Sequence, residues 1–247
     1  MKKKVFLFGL LFSLLLLCGC GVNLTSTVKL NKGFSGTRVM SCTFSSRDFH
    51  SYFKGSKEDL NKLIKESCPD ALTYTSSSSD GNDAYTFYLR FSSLDDYKKK
   101  VRDLLNFSPE ITYEYGDSPF VSGLIYKENF TSKDLMTWLY TALYEGKYID
   151  KDSSSDLWDL KSTKISFLGK TYETKDKINI DEMAYVPLSS IHIDTKTKKS
   201  GKLARVIEFD LPQQTLDQNA GKIRSYFAGN DITWENTSDG KNFMYQF

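Results

Sequence analysis

The chain has 247 residues, with 33 Lys and Arg against 31 Asp and Glu and only two His, for a net charge of +2. Its lysines are scattered among acids, so no basic stripe is available to neutralise nucleic-acid phosphates. A 40% hydrophobic and 14% aromatic composition excludes a disordered chain and favours strands.

The N-terminus reads in three zones: Lys2, Lys3 and Lys4, an apolar run from Val5 to Leu17, then Cys18-Gly19-Cys20. This is the order of a secretory signal, and the run falls short of the about 20 apolar residues a spanning helix needs. Leu17-Cys18-Gly19-Cys20 resembles the lipobox of bacterial lipoproteins. The resemblance implies cleavage before Cys20, loss of residues 1–19 with Cys18, and a diacylglyceryl group on the Cys20 thiol. Two acyl chains anchor stably where one is marginal. The folded body is then expected on the extracytoplasmic face of the cell membrane, with 30 basic against 31 acidic side chains once the three N-terminal lysines are gone. Residues 20–26 are expected as a tether, about 25 Å at most, ahead of a first strand at Thr27.

A self-similar segment follows. Ser35-Gly36-Thr37-Arg38-Val39-Met40-Ser41-Cys42-Thr43-Phe44 aligns with the ten residues from Ser200 to Phe209. The helical stripe Leu60, Leu63, Ile64 is matched by Ile223, Tyr226, Phe227, and Leu72-Thr73-Tyr74-Thr75 by Ile232-Thr233-Trp234-Glu235. Ser79-Asp80-Gly81 ahead of Tyr85, Phe87 and Leu89 recurs as Ser238-Asp239-Gly240 ahead of Phe243, Tyr245 and Phe247. The unit is strand, turn, strand, helix, strand, Asp-Gly turn, strand; Asp-Gly between alternating runs signals a tight hairpin, so Asp80 and Asp239 read as turn residues rather than catalytic acids.

Between the copies, Ser93 caps a helix reaching about Asn106, with Leu94, Tyr97, Val101, Leu104 and Leu105 on one stripe. Strands are expected near Ile111–Tyr115 and Val121–Phe130. Ser132 opens a second helix from Lys133 to about Tyr148, with Leu135, Trp138, Leu139, Ala142 and Leu143 inward. A hairpin then turns on Leu168-Gly169-Lys170. The fold class is α+β, two copies of a strand-strand-helix-strand-strand unit flanking a mixed middle section: residues 27–106, 107–189 and 190–247. This layout resembles uncharacterised Gram-positive LppM-like lipoproteins over Cys20 to about Leu105, which implies a location and no activity.

Residues with chemistry are few. Alternation puts Cys42 on the face of Met40 and Phe44, and Cys68 lies on the Leu60, Leu63, Ile64 stripe; outside the cytoplasm a Cys42–Cys68 disulfide is allowed, and two buried free thiols are the alternative. His192, between Ile191 and Ile193, shares a strand face with Asp194, but no second His or Cys ligand is in reach, so no metal is expected; His50 has no evident partner. No nucleophile elbow, dinucleotide fingerprint or phosphate loop is present, so neither catalytic residues nor a cofactor are assigned. On the second helix Tyr140, Tyr144 and Tyr148 recur every four residues, away from the Leu135/Leu139 stripe, and offer a ladder for sugar or peptide recognition; a helix packed on two sides is the alternative.

The expected function is a membrane-anchored, non-enzymatic binding or scaffolding module, with a protein, lipid or cell-wall partner near the bilayer and no nucleic acid. The alternatives are an envelope hydrolase using a carboxylate pair and a carrier enclosing a hydrophobic ligand.

Overall fold

The computed structural model describes residues 22–45, 53–79, 82–150, 157–188, 190–199, 201, 203–226, 232–237 and 240–246; of 44–45, 203–209, 213, 216, 220, 224, 232–237 and 240–246 it describes the backbone alone. The protein is α+β and divides into two compact units. One comprises the chain up to Tyr113 with Tyr126–Asn179, the other Glu114–Ile125 with the chain from Ile180. This division replaces the three consecutive segments expected from sequence, because part of the middle section completes the first sheet.

The larger unit is built on a six-stranded sheet of order β3-β4-β2-β1-β7-β8. Its strands are β1 (Val22–Leu30), β2 (Gly36–Ser45), β3 (Thr73–Ser79), β4 (Asn82–Phe91), β7 (Trp158–Phe167) and β8 (Lys170–Thr174). β1 alternates strictly, with Val22, Leu24, Ser26, Val28 and Leu30 buried, so one face of the sheet turns to the core. β1 also begins five residues earlier than expected. Residues 22–26 are strand rather than tether, and only Gly21 separates β1 from Cys20. On its outer edge β1 pairs in parallel with β7, from Val22↔Trp158 to Leu30↔Phe167.

Three helical segments belong to this unit: α1 (Lys57–Ser67), α2 (Leu94–Leu104), and a 3-10 turn (Asp134–Met136) continued by α3 (Thr137–Glu145). α1 opens on a capping box in which Ser56 accepts from the Asp59 backbone and Asp59 accepts from that of Ser56, worth about 1 kcal/mol. It buries Leu60 and Ile64, roughly 1.5–3 kcal/mol for each side chain. α2 is capped by Ser93 as expected and buries Tyr97, Val101 and Leu104. The third helical segment is entered through Thr131 instead of Ser132: the Thr131 N–H and hydroxyl both donate to Asp134 Oδ2, at 2.7 and 3.0 Å, and the Asp134 N–H donates back. Aromatic rings fill the space behind the sheet, with Phe34 against Phe91, Tyr97, Tyr113 and Tyr126 at centroid distances of 4.7–5.6 Å.

The hairpin of β5 (Ile111–Asp117) and β6 (Val121–Glu128) carries the chain from the larger unit into the smaller and back. β9 (Asn179–Asp181) and β10 (Ala184–Tyr185) pair with β6. Gly123 sits at φ +121, and a Cβ there would lie 2.0 Å from the Glu182 carbonyl oxygen, so the backbones meet only because that residue is glycine.

The smaller unit holds a four-stranded sheet of order β11-β12-β14-β13, from β11 (Ser190–Thr197), β12 (Leu203–Leu211), β13 (Ile232–Thr237) and β14 (Gly240–Gln246), with α4 (Gln213–Tyr226) between β12 and β13. Strand order and register reproduce β1, β2, β4 and β3 of the larger unit. One numbering offset for the first hairpin and another for the second carry Val28↔Arg38 onto Thr195↔Arg205, Cys42↔Tyr85 onto Phe209↔Phe243, and Tyr74↔Phe87 onto Ile232↔Tyr245. This register places Gly36 opposite Leu203, two residues along from the ungapped sequence alignment; an even slip keeps the same side chains inward. In both copies a two-residue loop closes the second hairpin, between Ser79↔Asn82 and between Thr237↔Gly240. The loop residues Asp80, Gly81, Ser238 and Asp239 lie outside the described residues, and the second loop falls one position before the expected Asp-Gly.

Candidate binding groove

α1 and α3 pack together, and the C-terminal ends of α1 and α2 leave an open groove beside α3 with a volume of about 490 Å³. Its walls are Leu63 and Ser67 of α1, Leu104 to Asn106 at the end of α2, and Thr137, Trp138, Thr141, Ala142 and Glu145 of α3. The size falls in the range of small-ligand sites. Apolar surface from Leu63, Leu104, Leu105 and Trp138 alternates with hydroxyl, amide and carboxylate groups from Ser67, Thr141, Asn106 and Glu145. The Trp138 ring stands edge-on to Phe87 at 5.4 Å. Its indole N–H is buried and has no hydrogen-bond partner among the described residues.

The groove corrects the inward stripe expected for this helix. Leu135, Leu139 and Leu143 are buried, but Trp138 and Ala142 are half-buried and line the groove. The tyrosine ladder has two rungs, not three. Tyr140 and Tyr144 stack with centroids 6.4 Å apart and planes within 6°, and Tyr144 is 40% exposed. At 100° per residue this pair lies to one side of the Thr137/Thr141 stripe, outside the residues that line the groove. Tyr148 lies beyond the helix, because α3 ends at Glu145 and Lys147 takes φ 61. Its backbone carbonyl accepts from Lys54, and its ring lies against Gly55.

The strongest electrostatic feature of this unit is elsewhere and was not anticipated. Arg38, fully buried, donates to Glu128 Oε2 at 2.8 Å, to the Tyr97 hydroxyl at 2.5 Å and to Ser132 Oγ at 3.0 Å. Glu128 Oε1 accepts from Tyr97 at 2.7 Å and from Tyr126. Ser132 exchanges a 3.1 Å hydrogen bond with Thr163, and the guanidinium lies over the Phe130 ring at 5.7 Å. Burial alone would favour neutral Arg38, but Glu128 with the two tyrosines holds the guanidinium charged. Burial, followed for Tyr97 by Arg38 acting in the opposite sense and by Glu128, lifts both phenols well above their ordinary value. The alternation that places Met40 and Cys42 inward also places Arg38 inward; a charged residue in phase with apolar neighbours is the sequence signal for this cluster. Among the described residues Glu128 is the sole buried carboxylate, and its three donors seal it in the core, away from the groove.

Cys42 and Cys68 are both free thiols. Cys42 is buried in β2, where burial raises its pKa, while Cys68 is the C-cap of α1 with Sγ 3.9 Å from the Pro69 carbonyl oxygen. His192 lies exposed on β11; Asp194 there forms a 3.0 Å ion pair with Lys196. His50 and Cys20 lie outside the described residues. No group of His, Cys, Asp and Glu suited to a metal is found among the described residues, and no helix there is long and apolar enough to cross a membrane. No protein-family model and no curated protein matches this sequence.

Proposed function

We propose that the protein is an extracytoplasmic lipoprotein, anchored through Cys20, that binds an envelope glycan in the groove between α1, α2 and α3. The observation that carries this reading is the groove itself, with an aromatic wall at Trp138 and hydroxyl and amide groups of Ser67, Thr141 and Asn106 beside it. Sugar rings present apolar C–H faces to aromatic side chains and hydroxyls to amides, hydroxyls and carboxylates. One carboxylate and no cation line the groove, so a largely uncharged ligand suits it better than an anion. The position of β1 supports attachment close to the bilayer: two residues from Cys20 to Val22 span at most about 7 Å, which holds the larger unit at the headgroup surface. α1 starts beside Asp83 and Ser78, near the end of the sheet where β1 begins, and runs towards the groove from there.

The test is a fluorescence titration of the full chain with soluble cell-wall glycan fragments, with peptides of the same envelope as comparison. Glycan is expected to shift the tryptophan emission saturably, and both Trp138→Phe and Thr141→Trp are expected to weaken binding roughly tenfold or more, about 1.4 kcal/mol. Saturable binding by peptide alone would replace glycan as the ligand; binding unaffected by either substitution would move the site elsewhere.

A further inference from the structure

We infer that the protein self-associates through β11, two copies pairing antiparallel about a twofold axis at Ile193. This goes beyond the groove and does not depend on it. The comparison between the two copies of the unit supplies the first observation. The outer edge of β1 is taken by β7, and Leu24 and Ser26 on its core-facing side are buried. By the register that relates the copies, Ile191 and Ile193 of β11 stand at those two positions, yet they are 58% and 56% exposed, and no strand covers the outer edge of β11 among the described residues. Two large β-branched side chains on an open edge form an unfinished sheet.

The sequence of β11 identifies the occupant by complementarity. Centring an antiparallel pair on Ile193 sets His192 of each copy opposite Asp194 of the other, twice, on one face. On the opposite face it sets Ile193 against its own counterpart, with both Ile191 side chains on the diagonals, so four isoleucines meet. A centre moved by two residues, to Thr195, sets Ile193 against Thr197 and Ile191 against Lys199 and loses the His192–Asp194 match. The twofold arrangement requires the pair to be antiparallel and the patch to be self-complementary, as this segment is. The product is one eight-stranded sheet, β13-β14-β12-β11 joined to its symmetry mate.

The test is oxidative crosslinking of the full chain in bacterial membranes, with the parent chain as baseline. Ile193→Cys brings two thiols to Cα separations of about 4.5–5.5 Å across an antiparallel pair, within disulfide reach; Thr197→Cys in the same register leaves its two copies roughly 27 Å apart. A disulfide dimer is expected from Ile193→Cys and none above baseline from Thr197→Cys. Absence of the first, or equal yields from both, would overturn the inference. In the Ile193→Cys background, His192→Asp puts like charges opposite each other and is expected to lower the yield about tenfold or more, while His192→Asp with Asp194→His restores it. A yield insensitive to His192→Asp would also overturn the pairing.

Discussion

Arg38 and Glu128 concentrate the energetic risk of the fold at two side chains. Removing one partner of a buried ion pair strands the other charge in the core, so Arg38→Met is expected to cost about 3–5 kcal/mol. Arg38→Met combined with Glu128→Leu is expected to recover most of that loss, since a pair replaced by apolar groups of similar volume is often neutral. Chemical denaturation of the three variants checks this, and equal costs for the single and double variants would contradict a coupled pair. Three buried phenols, Tyr97 and Tyr126 of this cluster and Tyr85 apart from it, give a pH signature. Burial, then nearby Asp83, pushes Tyr85 up to about 12, while its hydroxyl donates to Asn61; Tyr97 and Tyr126 are also raised. A folded pKa above the unfolded value of 10.0 means that the stability these groups contribute is complete below pH 10 and is lost as pH rises through the folded values. In a titration followed by tyrosinate absorbance and circular dichroism, Tyr85, Tyr97 and Tyr126 are expected to ionise only at a pH where the fold is lost with them. Ionisation of every tyrosine near pH 10 with unchanged circular dichroism would contradict the buried cluster. This cluster was legible only in part: the phase of Arg38 in its strand was visible, whereas Glu128 is 90 residues away in sequence, and no local pattern announces a partner at that distance.

Among the elements, hairpins and helices were read correctly wherever their signals are local. Ser93 caps α2, and alternation marks β1, β2 and β4. The misreadings came from competition that a linear pattern does not contain. Ser132 looks like a helix cap, but its hydroxyl is occupied by Arg38 and Thr163, and Thr131 caps instead. Tyr148 keeps the four-residue spacing of its ladder, but the positive φ of Lys147 takes it off the helix. The β7–β8 loop offers a direct test of turn chemistry. Phe167 pairs with Lys170, leaving Leu168 and Gly169 at φ 46 and 82, a tight turn with both residues in the left-handed region. Leucine there carries roughly 1–2 kcal/mol of local strain and is 52% exposed. Leu168→Asn is therefore expected to stabilise the protein by about 1 kcal/mol in urea denaturation; a loss of stability would show that Leu168 makes a contact its exposure does not suggest.

At the scale of the molecule, the correspondence between the two segments was visible because apolar spacing and turn residues recur in both. What the sequence concealed is how differently the copies use the same strand. β1 pairs with β7, which arrives from more than 120 residues downstream, whereas the corresponding β11 keeps an open edge among the described residues. The groove was hidden for a related reason: Trp138 and Ala142 fall close to the apolar stripe of α3, and only the packing of α1 and α2 determines that they face an opening. Under the proposed anchoring at Cys20, Gly21 alone stands between the lipid and the first strand. Metabolic labelling with a fatty-acid analogue tests that most directly. The parent chain is expected to incorporate label and fractionate with membranes, and Cys20→Ala to lose the label and accumulate as precursor; equal labelling of the two would contradict anchoring at Cys20.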